Sequence, residues 1–189
     1  MQTHTEFPSI REAAYSHFKN LYREEVDLVQ HPDLLEMIPQ KVTSKMNQCL
    51  TSPVSSKEVK AVALAMEMDK APGPDGFTAR FVQICWHIIK KYLIRMILKS
   101  QECHKIGGST NSAFLALIPK EKGATSFSRF RPISLCNIGY KLITKVIANR
   151  MKILLPKLIP ENQGGFVHGR QIVDNIILVQ EAIHSSAQR

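Results

Sequence analysis

Two short apolar segments, separated by a basic turn, constrain the fold of this chain most strongly. The first covers residues 113–118 and ends at Pro119, which has no backbone N–H to continue a strand ladder. The second covers residues 130–135, and Gly123 lies in the turn between them. Apolar residues occupy both sets of alternating positions in the first segment, which predicts burial on both sides. The sequence therefore predicts a short antiparallel β-hairpin.

Basic side chains gather at the closed end of this predicted hairpin. They are Lys120, Lys122, Arg129 and Arg131. Clustered ammonium and guanidinium groups suit a polyphosphate or the backbone of a nucleic acid. The alternative is a surface hairpin whose charges are simply solvated.

Most of the remaining chain has the periodicity of amphipathic helices. Capping boxes at Ser9 and Ser55 and a capping residue at Asn137 begin three of the five predicted helices, which cover 9–26, 55–69, 78–99, 137–155 and 171–185. In the third helix the predicted buried face consists of Phe81, Ile84, Cys85, Ile88, Tyr92 and Met96. The fold class expected from this pattern is α+β, mostly helical with one short hairpin.

The charge of the chain is concentrated in its middle. Residues 76–170 contain 16 basic and 3 acidic residues, whereas residues 1–75 contain 8 basic and 11 acidic residues. A local excess of this size indicates a face for an anionic partner, and ordinary solvated helix surfaces are the alternative. No apolar run is long enough to span a membrane, so we expect no membrane partner.

The four cysteines lie far apart and indicate free thiols in a reducing compartment. We therefore expect an intracellular protein, either nuclear or cytoplasmic. Cys103 and His104 are adjacent and would struggle to ligate one ion, and the spacing of Cys85, His87 and this pair fits no zinc finger. We predict no metal site in this chain.

Residues 71–76, with the sequence A-P-G-P-D-G, have the glycine content of a phosphate-binding loop. Two prolines remove the amide donors that such a loop needs, so a rigid double turn between helices is the better interpretation. Asp75 is then expected to form the turn and not to ligate a metal.

Four segments together carry a resemblance to a known family. They are K-A-P-G-P-D-G-F at 70–77, A-L-I-P-K-E-K-G at 116–123, F-R-P-I-S-L-C-N at 130–137 and Q-G-G-F-V-H-G-R at 163–170. The chain resembles the fingers region of non-LTR (LINE-type) retrotransposon reverse transcriptases, over about residues 50–185 and loosely over 7–30, and the third segment looks closest to plant members. The resemblance implies a right-hand polymerase fold with an incomplete palm. It divides the chain into a helical linker region at 1–50 and a truncated reverse transcriptase domain, fingers and the start of the palm, at 51–189.

The resemblance also implies roles for individual residues. Lys120 would contact the distal phosphates of an incoming nucleotide, and Arg131 its base and proximal phosphate. The expected nucleic-acid contacts are Lys122, Arg129, Gln163, Gly164 and Arg170. His168 stands where the family has proline, and Phe166 is either part of this loop's function or a core anchor. The basic residues of the 137–155 helix, Lys141, Lys145, Arg150 and Lys152, are expected to point outward, either solvated or facing a template.

The chemistry implied by the resemblance is RNA-directed DNA synthesis with RNA template, DNA primer, deoxynucleoside triphosphate and two Mg²⁺ ions held by aspartates. This chain contains no Asp-Asp pair, and the first palm aspartate of the family would fall beyond Arg189. We therefore expect a fragment with no catalytic residues of its own, no bound Mg²⁺ and no activity alone. The alternatives are a non-enzymatic nucleic-acid-binding remnant and a decayed copy of the element. Several apolar positions of the 171–185 helix suggest surface left uncovered and hence self-association.

Overall fold

The computed structural model describes residues 7–23, 37 and 39–187. In this part of the chain the α-helices are α1 (Phe7–Leu21), α2 (Ser44–Thr51), α3 (Ser56–Leu64), α4 (Ala79–Ile84), α5 (Trp86–Glu102), α6 (Ile138–Leu158) and α7 (Ile172–Ala187). The strands are β1 (Ala113–Pro119) and β2 (Phe130–Cys136), which pair as one hairpin, and a 3₁₀ turn at Phe127–Arg129 lies in the connection between them. The α+β class, mostly helical with a short antiparallel hairpin, is confirmed.

The chain forms two compact units, of which the first consists of residues 1–39 and 115–134. Its described core is aromatic: Phe18 of α1 is buried, and the ring of Phe127 lies 6.3 Å from it and 5.5 Å from the ring of His17. The predicted cap at Ser9 is wrong, because α1 begins at Phe7 and places Ser9 inside its first turn. Residues 24–26 of the predicted helix lie outside the described residues.

The second unit consists of residues 40–114 and 135–189 and contains the larger core. The predicted cap at Ser55 is confirmed, since its Oγ accepts a hydrogen bond of 3.1 Å from the Glu58 N–H at the start of α3. The core is formed by one face of α3, short parts of α4 and α5, and the first half of α6. Its buried members are Val59, Val62, Ala63, Ala79, Val82, Ile97, Ile138, Leu142, Ile143 and Val146.

The single helix predicted for residues 78–99 is instead two helices that meet at Cys85. The predicted buried face is also wrong: Ile84, Ile88 and Tyr92 are 67%, 61% and 73% exposed. The smaller side chains of Ala79 and Val82 face the core instead. The largest apolar side chains of the predicted face therefore lie on the solvent side of both helices.

The last two helices follow the sequence pattern more closely. Asn137 precedes α6 as predicted, but α6 continues to Leu158 and keeps Pro156 within its last turn, so the predicted end at residue 155 is too early. On α7 the apolar side chains are about half exposed or more, as the sequence suggests: Val173, Ile176, Ile177, Leu178, Val179 and Ile183. None of the described helices is both long and apolar enough to cross a membrane.

Candidate nucleic-acid interface

The hairpin places its basic residues on one face. Two backbone hydrogen bonds, from Lys120 N–H to Arg129 (2.9 Å) and from Asn137 N–H to Ser112 (3.3 Å), fix a register in which Ile118 is opposite Arg131. Since side chains alternate along a strand, Lys120 and Arg131 then share one face. We define the open face of the hairpin by these residues and their exposed neighbours: Ile118, Lys120, Arg129, Arg131 and Ile133.

The other face of the hairpin lies against α1. Leu115 and Leu117 line a cavity of about 470 Å³ together with residues of that helix, among them Tyr15, Phe18 and Tyr22. The predicted burial on both sides is therefore wrong. In the described part of the first unit one helix flanks this two-stranded sheet, so the opposite face stays in solvent.

The closed end of the hairpin is held by its own polar groups. Lys120 Nζ donates a hydrogen bond of 2.8 Å to the Ser128 carbonyl, and Arg129 forms a 2.9 Å ion pair with Glu121. Lys122 is exposed in the turn, where Gly123 adopts a φ of 76°. Because Arg129 already has a carboxylate partner, Lys120 and Arg131 are the better placed of these residues to contact an anionic ligand.

The loop at residues 71–76 is a structural joint. Asp75 accepts hydrogen bonds from the Phe77 N–H (3.1 Å) and from the Ile138 N–H (2.9 Å), so it forms its own turn and also caps α6. The Asn137 side chain does not cap that helix; it accepts from the Asp75 N–H and donates to the Ser109 carbonyl. A Cβ built on Gly73 would lie 2.5 Å from the Asn137 nitrogen. The expected turn-forming role of Asp75 is confirmed.

The 163–170 loop is tied to the end of α6 by Arg170. Its guanidinium donates hydrogen bonds to the carbonyls of Pro156, Ile159, Pro160 and Gln163. These bonds satisfy carbonyls at a helix C-terminus, a role that the motif alone did not indicate. The phosphate contact expected of Arg170 stays a prediction.

Other residues of the same loop differ in their exposure. Gly164 is buried, and a Cβ on it would lie 3.0 Å from the Gln171 carbonyl oxygen. The absence of a side chain at Gly164 therefore allows close packing against the backbone of this same chain. Gln163 is exposed. Phe166 is not a core anchor, because it is fully exposed with a φ of 64°, and Val167 is the buried residue instead.

Arg150 has a different position from the one predicted. Its side chain points inward and pairs with Glu58 at 2.7 Å, with exposed fractions of 13% and 26% for the two side chains. It also donates to the carbonyls of Leu50, Ser52 and Pro53. The hydrogen bonds from the Arg150 guanidinium to the Glu58 carboxylate hold the pKa of Glu58 below its ordinary value, against the opposing effect of partial burial. The same contact raises the pKa of Arg150. Arg150 is therefore a structural clamp between α3 and α6.

The remaining basic residues of α6 are more accessible. Lys145 and Lys152 are exposed as predicted, whereas Lys141 is half-buried and donates a 2.7 Å hydrogen bond to the Ala71 carbonyl. Cys49, Cys85, Cys103 and Cys136 form no disulfide with one another. Across residues 7–23, 37 and 39–187, no three His, Cys, Asp or Glu side chains come together to form a possible metal site.

Comparison with known proteins identifies two relatives encoded by mobile elements. One is the transposon TX1 uncharacterized 149 kDa protein of Xenopus laevis, 28% identical over 177 residues, which cover 93% of this chain and 14% of the relative. The other is a retrovirus-related Pol polyprotein from the type-1 retrotransposable element R2 of Nasonia vitripennis. It is 27% identical over 143 residues, which cover 74% of this chain and 13% of the relative. No protein-family profile matches the chain.

The chain is thus related to the proteins of non-LTR, LINE-type retrotransposons. It spans about one seventh of the length of these relatives. Both relatives come from animals, so the resemblance to plant members has no support from them.

Proposed function

We propose that this chain is part of the reverse transcriptase of a LINE-type retrotransposon and contributes contacts to the RNA template and the incoming nucleotide. The observation that carries the proposal is the open face of the hairpin, where Lys120 and Arg131 lie exposed on one side. An ammonium supplies a point charge for phosphate, and a guanidinium adds a planar, two-pronged donor. The relationship to a Pol polyprotein supports the same assignment.

In this proposal the primer, the deoxynucleoside triphosphate and Mg²⁺ belong to the complete polymerase. The described carboxylates of this chain do not fit a Mg²⁺ site, because no three of them come together. Asp75 is used by two backbone N–H groups, and Asp69 is paired with Arg80 at 2.6 Å. We assign no step of the reaction to these residues. The polypeptide of residues 1–189 is proposed to bind and not to catalyse. An intracellular location, nuclear or cytoplasmic, is part of the proposal and agrees with four cysteines that form no disulfide.

A non-enzymatic nucleic-acid-binding protein is the second candidate. This candidate is favoured because Asp75 and Asp69 already have partners within the chain, whereas binding of nucleic acid requires only exposed basic residues. The two candidates differ in their response to a nucleotide. If the hairpin holds a triphosphate, a deoxynucleoside triphosphate competes with RNA at Lys120 and Arg131; a protein that only binds RNA shows no such competition beyond that of inorganic triphosphate.

The proposal is tested by removing the two charges of the open face together. Lys120→Gln with Arg131→Gln should weaken binding of single-stranded RNA and reduce the slope of log affinity against log salt by about 1.4, since each phosphate contact contributes about 0.7 on single strands. Fluorescence anisotropy over a salt series measures both quantities.

The matched control is Lys57→Gln with Lys60→Gln, which removes the same charge from exposed positions of α3 outside the basic segment. It should leave the slope nearly unchanged. Equal slopes for the wild type and the hairpin variant would show that this face does not contact phosphates.

A further inference from the structure

The apolar positions that the sequence predicts to be buried in α4 and α5 form an exposed ridge. Its members recur three or four residues apart on both sides of Cys85, where α4 ends and α5 begins. We call this the basic–aromatic ridge, and it consists of Phe77, Phe81, Ile84, Ile88, Tyr92, Arg95 and Lys99. Its part on α5, from Ile88 to Lys99, is about 17 Å long at about 1.5 Å per residue.

The ridge offers aromatic surface to solvent. The rings of Phe77 and Phe81 stack with centroids 4.7 Å apart and remain 45% and 38% exposed. Tyr92, on α5, is 73% exposed. On α5 the ridge residues, from Ile88 to Lys99, lie on the side of the helix opposite the buried Ile97. The ridge is therefore the outer side of this helix. Exposed rings on a rigid helix can serve as platforms for the bases of an unpaired strand.

The charge around the ridge selects the class of partner. Residues 77–101 contain no acidic residue and five basic ones. Arg80 is paired with Asp69, and the other four are Lys90, Lys91, Arg95 and Lys99. A second copy of this chain would bring like charges together, and the exposed apolar face of α7, which lacks Lys and Arg, is better suited to self-association. An anionic partner with flat apolar groups matches both the rings and the cations.

We propose that the basic–aromatic ridge binds single-stranded nucleic acid by stacking bases on Tyr92 and the Phe77–Phe81 pair, with phosphates held by Arg95 and Lys99. The ridge shares no residue with the hairpin, and the inference rests on the proposed nucleic-acid function. It differs from a purely electrostatic surface because it discriminates between strands with and without bases.

The test compares an oligouridylate of about 12 residues with an abasic oligonucleotide of the same length and charge, each followed by fluorescence anisotropy. Tyr92→Ala should weaken binding of the oligouridylate about ten-fold and leave binding of the abasic strand unchanged. Because Tyr92 is largely exposed, this change should not unfold the protein. Leu178→Ala, which removes an equally exposed apolar side chain from α7, is the matched control and should change neither affinity.

The outcomes separate this inference from the proposed function. Loss of oligouridylate binding in Tyr92→Ala supports the ridge even if the Lys120 and Arg131 changes have no effect. Equal binding of both strands by the wild type, or an unchanged affinity in Tyr92→Ala, overturns the inference. The inference is also overturned if sedimentation velocity shows that Tyr92→Ala reduces self-association and nothing else changes. The ridge would then be a protein interface.

Discussion

Replacing Gly73 with alanine is expected to lower the free energy of unfolding by about 3 kcal/mol or more. The added Cβ would lie 2.5 Å from the Asn137 nitrogen and 2.6 Å from the Cys136 carbonyl oxygen. Both atoms belong to backbone that leads directly into α6, so they cannot move aside as a flexible side chain could. Urea denaturation followed by circular dichroism measures the change.

The matched control for this prediction is Gly108→Ala. A Cβ on Gly108 meets no atom within 4 Å, so the stability of that variant should stay within about 1 kcal/mol of the wild type. If both variants are equally stable, the 71–76 loop does not pack against the start of α6 as described.

Replacing Arg150 with methionine should destabilise the protein by about 2–3 kcal/mol, below the range for a fully buried pair because both partners keep some contact with solvent. The change leaves the Glu58 carboxylate without its cation and removes the donors to the carbonyls of Leu50 and Ser52. Lys152→Met removes a similar charge from an exposed position of α6 and should have little effect. Equal losses in the two variants would contradict the clamp.

The same pair predicts a dependence on pH. The pKa of Glu58 is lower in the folded protein than its ordinary value of 4.5. The ionised carboxylate therefore stabilises the fold fully above its ordinary pKa of 4.5, and this stabilisation is lost as the pH falls through the folded-state pKa. The stability difference between the wild type and Glu58→Gln should therefore be larger at pH 7 than at about pH 3. A difference that stays constant over this range would show that the carboxylate charge does not contribute.

Local signals in the sequence were sufficient for the hairpin and for several helix starts. Pro119 ends β1 and Ser55 caps α3, because each effect depends on the chemistry of a residue and its immediate neighbours. The apolar positions Leu142 and Val146 likewise face the core at the expected spacing. Such features need no information about distant parts of the chain.

Features that depend on long-range contacts were not predictable from the sequence. The role of Arg150 requires Glu58 from 92 positions earlier, and the cap of α6 comes from Asp75, 63 positions before Ile138. The predicted buried face of residues 78–99 was wrong because apolar residues recur at helical spacing on both sides of this segment. Periodicity alone does not determine which side packs, and Val82 and Ile97 face the core while Ile84 and Tyr92 are exposed.

At the candidate site, too, local sequence signals identified some features and long-range contacts determined others. The open face of the hairpin was suggested by the charges of Lys120 and Arg131, but its exposure follows from α1 covering the opposite side. In the 163–170 loop the guanidinium of Arg170 is held by four carbonyls at the end of α6, which no local pattern indicated. Motif chemistry identifies charged groups, while packing determines which of them are available to a ligand.

Photo-crosslinking tests most directly whether the open face of the hairpin binds nucleic acid. Single-stranded RNA that contains 4-thiouridine is irradiated with the protein, and mass spectrometry identifies the crosslinked peptides. We predict crosslinks within residues 118–133 that disappear in the Lys120→Gln, Arg131→Gln variant. Crosslinks confined to other parts of the chain, and unchanged in that variant, would contradict the proposed function.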